Sequence, residues 1–67
     1  MKYYAYIPLK DGTEPCGTEN RCLFESAGDF WANHMAKRRL NTTNFVLIRY
    51  THLYDEKTYK VITGKYI

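Results

Sequence analysis

The stretch SAGDFWANHMAKRRL, Ser26 to Leu40, is the one segment of this chain with helical patterning, and it decides the fold. Ser26 followed three residues later by Asp29 is a variant of the capping box, with a hydroxyl for an orphan amide and an acid in the first turn. At 100° per residue Asp29, Asn33 and Lys37 form a polar line. Ala27, Trp31 and Met35, with Ala32 beside them, lie nearly opposite, so the pattern predicts Trp31 and Met35 as the anchors of the helix on a sheet. Lys37, Arg38 and Arg39 fill the last turn, where cations complement the unsatisfied carbonyls, and Asn41-Thr42-Thr43-Asn44 ends the helix.

The flanks alternate with period two. In Lys2 to Leu9, Tyr3, Ala5, Ile7 and Leu9 share one face and Tyr4 and Tyr6 the other, while Pro8 points to an edge strand or a strand end. FVLIRYTHLY, Phe45 to Tyr54, is the most strand-like stretch: Val46, Ile48 and Tyr50 fall on one face, and Phe45, Leu47, Arg49, Thr51 and Leu53 on the other. After the connector Asp55-Glu56-Lys57 a third strand, Thr58 to Thr63, closes a hairpin, and Gly64 permits a bend or bulge. The expected fold is α+β, in the order β-α-β-β: a three-stranded, mainly antiparallel sheet with one helix packed on one face.

With 67 residues the chain is expected to form a single domain, 1–67. Apolar residues make up 45% of it, which suits a folded core and not a disordered tail. The net charge of +3 favours an acidic surface or a polyanion without reaching the density of a nucleic-acid arm. No apolar run approaches the ~20 residues that cross a bilayer, and tyrosines interrupt the start where a signal peptide is continuously apolar. A soluble cytoplasmic protein with no membrane partner is expected. Cys16 and Cys22 read as free thiols of a reducing compartment, and Asn41-Thr42-Thr43 as polar linker chemistry and not as a glycosylation site.

Chemical motifs are sparse. Cys16, Cys22, His34 and His52 are the residue types of a zinc site, but their spacing matches no common finger. Cys16 or Cys22 with His34 has the types for nucleophilic catalysis without a signature or an enclosed cleft. Thr63-Gly64-Lys65 lacks the rest of a phosphate loop. No catalytic residue, metal, cofactor or small-molecule substrate is therefore expected.

The sequence points instead to surfaces. If Val46, Ile48 and Tyr50 meet the helix, then Tyr4, Tyr6, Leu47 and Arg49 lie on the open sheet face, an aromatic and basic patch composed like a binding surface. Lys37, Arg38 and Arg39 add a basic helix end. The segment KDGTEPCGTENR reads as a long loop, with Asp11, Glu14, Glu19 and Arg21 as its candidate contacts. In size and in its β-α-β-β order the chain resembles small host-takeover proteins of bacteriophages, of the RNA polymerase inhibitor type. That resemblance covers most of the chain, transfers no functional residue, and implies a partner in a bacterial host. The expected function is a non-catalytic module that docks on and regulates or inhibits a larger intracellular protein. The alternative is nucleic-acid binding through basic residues and sheet tyrosines.

Overall fold

The computed structural model describes residues 1–10, 14–15, 22–55 and 57–64, the side chains of residues 10, 14 and 15 excepted. The elements run β1 (Lys2–Lys10), β2 (Glu14–Pro15), β3 (Cys22–Ser26), α1 (Asp29–Leu40), β4 (Phe45–Tyr50) and β5 (Tyr59–Thr63). The α+β class stands, and every strand pair is antiparallel. The strand count does not: four main strands, β3-β1-β4-β5, replace the three expected, and the two-residue β2 joins them. The strand missing from the sequence reading is β3, CLFES, five residues beside a run of turn formers. Its alternation is nevertheless regular, with Phe24 and Ser26 buried and Leu23 and Glu25 exposed.

β1 is the central strand and not an edge. One side pairs with β4 from Tyr3↔Tyr50 to Pro8↔Phe45. The other pairs with β3 as far as Tyr6↔Cys22 and with β2 from Leu9↔Pro15. Pro8 falls in the gap between those two pairings. Because the Leu9 N–H donates to Asn44 O on the β4 side, at 3.1 Å, the position of the missing Pro8 donor alternates to the gap side, where no ladder bond is lost. β3 and β4 both run antiparallel to β1 and so parallel to each other, and α1 carries the chain from one to the other over β1.

The two faces that alternation sorts out are real, but the helix covers the opposite one. Tyr4, Tyr6, Phe24, Phe45 and Leu47 form the cluster beneath α1, with Ala32 and Ala36 pressed on it from above. Ala5, Ile7, Val46, Ile48 and Tyr50 form a second buried cluster on the other face, ringed by Tyr3, Leu9, Tyr54, Tyr59 and Val61. Tyr4, Tyr6 and Leu47 are thus core residues and present no open patch. A sheet face already filled by tyrosine and phenylalanine rings leaves room only for methyl groups, so α1 meets it through Ala32 and Ala36. Met35 packs at the margin of that cluster, whereas Trp31, the expected anchor, is 58% exposed. Asp29 and Asn33, expected on the outer line, turn toward the sheet side: Asp29 bonds to two strands, and Asn33 Oδ1 is shielded from solvent.

The helix begins at Asp29 and not at Ser26. Gly28 is its N-cap in extended geometry, and Ala32 N–H donates to Gly28 O at 2.9 Å in the first turn. Ser26 is the last residue of β3, buried, with its hydroxyl 3.4 Å from Gly28 O. Asn41, left-handed at φ 55°, ends α1, a conformation asparagine tolerates better than most residues.

β4 stops at Tyr50, because residues 51–54, 57 and 58 lie in turns and bends in place of the expected strand extension. Thr51 closes this connection, its N–H and hydroxyl both donating to Thr58 O at 2.8 and 2.7 Å, and Asp55 Oδ1 accepts from Lys57 N–H at 2.9 Å. The β4–β5 register shifts between Leu47 and Ile48, where Ile62 is the extra residue. Gly64 follows at φ 87°, and a Cβ there would stand 2.5 Å from Phe45 O. Gly64→Ala is therefore expected to cost roughly 1–3 kcal/mol in urea unfolding. An unchanged midpoint would mean that this close approach to β4 is absent.

Candidate functional site

Arg49 stands on the helix-facing side of β4, in line with Phe45 and Leu47, and a cation there requires a partner. Asp29 supplies it from the first turn of α1: Arg49 Nη1 lies 2.9 Å from Oδ2 and 3.2 Å from Oδ1. The Tyr4 hydroxyl donates to the same Oδ1 at 2.5 Å. One carboxylate thereby ties α1 to both β1 and β4 and also complements the helix dipole. The Tyr4 bond, followed by Arg49, holds the Asp29 carboxyl below its ordinary range. Burial first, then the bond to Asp29, pushes the Tyr4 phenol up to about 12. The phenol keeps its proton at neutral pH and donates it to the carboxylate, which braces α1 on the two strands. Arg49 is spent here, beneath the helix end.

At the other end of α1 the Arg39 guanidinium lies 5.7 Å over the Phe24 ring, with Nη1 3.9 Å from Cys22 Sγ. Cys22 is a free thiol. Burial, then contact with Cys22, raises the Tyr6 phenol above its usual range. Arg39 is thus partly committed to holding α1 on β3.

The outward surface of α1 is different. Phe30 is 72% exposed and Trp31 58%, and their rings meet edge to face at 5.1 Å. His34 lies one turn on, parallel to Phe30 at 6.5 Å and edge-on to Trp31 at 6.3 Å. Beside them opens a groove of about 590 Å³, lined among the described residues by Trp31, His34, Met35, Arg38 and Arg39. Lys37 and Arg38 are exposed in the last turn. Two large aromatics at this exposure add little to the core, and the groove beside Trp31 runs along the helix to Arg38 and Arg39. This outer helix face is the candidate site.

Of the residues expected to bind a partner, Lys37, Arg38 and Arg39 lie on this side, while Tyr4, Tyr6, Leu47 and Arg49 lie beneath the helix. Phe30 and Trp31 were missed as surface residues because the large side chains of an amphipathic helix ordinarily face inward. The loop candidates Asp11, Glu19 and Arg21 lie outside the described residues, as does the side chain of Glu14. Cys16 does too; His34 is on the outer helix face, and His52 is exposed in the turn after β4. Among the described residues no group of three His, Cys, Asp or Glu side chains stands close enough to hold a metal ion. No helix among them is long and apolar enough to cross a membrane. No protein-family model, curated protein or solved structure matches the chain.

Proposed function

We propose that the chain is a small non-catalytic binding module that docks through the outer face of α1 on a larger intracellular protein and regulates or inhibits it by occupying its surface. The observation that carries this reading is the exposed Phe30–Trp31 pair, backed by His34 and Arg38. Tryptophan, other aromatics and arginine are the residues on which protein interfaces concentrate their energy. The face is also presented rigidly, since the Asp29 brace and the Arg39 contact fix both ends of the helix on the sheet. Rigid presentation lowers the entropy cost of docking.

The β-α-β-β order that carried the phage resemblance is not the order of this chain, so the reading rests on the surface and takes no partner from that resemblance. Affinity capture of binding proteins from a cell lysate tests it, with the parent chain set against a Phe30→Ala, Trp31→Ala double variant. The variant is expected to keep the parent's melting temperature within a few degrees and to lose the captured protein. Equal capture by both chains would remove the helix face from the account. Exposed rings beside Lys37 and Arg38 favour single-stranded nucleic acid as the second reading, marked by an affinity that falls steeply with salt.

A further inference from the structure

The groove beside Trp31 is polarised along the helix. At its N-terminal end stands Trp31, uncharged and largely exposed, with the exposed Phe30 against its ring. At its C-terminal end stand Arg38 and Arg39. None of the described lining residues is acidic. The one acid of α1, Asp29, is held toward the sheet by Tyr4 and Arg49. Trp31 and Arg38 are seven positions apart, a rise of about 10 Å along a helix, which three extended residues span.

Building on the docking role of this face, we infer that its occupant is an acidic peptide segment of a protein partner, with a large apolar side chain against Trp31 and Met35 and carboxylates about three residues away at Arg38 and Arg39. Charge complementarity selects this class over nucleic acid. A strand of uniform phosphates would lay part of its charge beside Trp31, where the described residues lining that end of the groove include no arginine or lysine. A segment apolar at one end and acidic at the other fits without that penalty, and the polarity fixes its direction. Arg39, already leaning on Phe24 and Cys22, is a preordered donor, while Arg38 is free to reach outward.

Trp31 is the only tryptophan in the chain, so its emission reports on the groove directly. The experiment is a selection from a random dodecapeptide library on the immobilised full chain, followed by Trp31 fluorescence titrations with the best peptide and with oligothymidylate. Enrichment of peptides with one or two large apolar residues next to a cluster of aspartates and glutamates is expected, and the best of them should shift Trp31 emission to the blue. Arg38→Glu, on an exposed side chain, should weaken that peptide by about tenfold or more, while the reversed charge in the last turn of the helix lowers the melting temperature by only a few degrees. No enrichment, enrichment of basic peptides, or oligothymidylate binding tighter than the best peptide overturns the inference. Uncharged peptides lost on Phe30→Ala with Trp31→Ala but indifferent to Arg38→Glu would sink the acidic class and keep the docking face. Peptides indifferent to all three substitutions would sink both.

Discussion

Leu47→Ala is expected to destabilise the protein by roughly 2–5 kcal/mol, a large share of what a chain of this size holds, while Trp31→Ala is expected to change stability by less than about 0.5 kcal/mol. The contrast follows from burial. Leu47 is fully buried in the cluster between β1, β3 and α1, so truncation leaves a cavity that aromatic neighbours cannot readily fill. Trp31 is 58% exposed and belongs to neither buried cluster, and its ring meets Phe30 and His34 edge-on at the surface. Urea unfolding of the two variants beside the parent reads both effects. If Trp31→Ala melts far below Leu47→Ala, the helix is rotated relative to the sheet and the proposed docking face is core.

That reversal of roles shows what the sequence can and cannot carry. Alternation sorted β1 and β4 into two faces, and the residues of each face stayed together in the fold. It could not say which face receives the helix, because both are apolar: Ala5, Ile7, Val46 and Ile48 are as suited to burial as Tyr4, Tyr6, Phe45 and Leu47. Arg49 held the missing signal. An arginine in line with Phe45 and Leu47 demands a counter-charge, and Asp29 is the one acid that α1 offers. Pairing those two residues places the helix over Leu47 and turns Trp31 outward. The apolar moment of the helix misled because size and burial parted company here, the alanines going inward to meet rings and the aromatics staying outside.

β3 escaped for a different reason. Five residues with a cysteine at one end and a serine at the other offer few β-branched side chains, and the turn-rich run before them reads on into them. With β3 in place, β1 is enclosed on both sides, the sheet is antiparallel throughout, and the helix spans β1 to join two strands that run the same way. The candidate site inherits its rigidity from that arrangement, since α1 is tied at one end to β1 and β4 and at the other to β3.

The Tyr4–Asp29 bond should make stability fall at both ends of the pH scale. Tyr4 is raised from 10.0 to about 12, so the folded state keeps a proton that the unfolded chain releases above pH 10. Its contribution is complete below pH 10 and is lost as pH rises through about 12, a loss of a few kcal/mol, on the order of 3, for a displacement of that size. Tyr6 and Tyr54 are displaced in the same direction, so the whole alkaline limb is steeper than Tyr4 alone requires. Asp29 has the opposite sense: its folded pKa is depressed, so its contribution is present above the unfolded value and is lost as pH falls through the folded one. Comparing the parent with Tyr4→Phe isolates the bond. The variant should be less stable by about 1.5–3 kcal/mol near neutrality, as for a hydrogen bond to a charged group, and the gap should close between pH 10 and 12 as the parent's phenol ionises. Because the Tyr4 hydroxyl is the largest influence lowering the Asp29 pKa, its removal should also move the acid limb to higher pH, with Arg49 left to hold the carboxylate. A gap that stays constant to pH 12, together with an unmoved acid limb, would show that the phenol and the carboxylate are not bonded in solution, and that the helix is held over Leu47 by packing and the Arg49 pair alone.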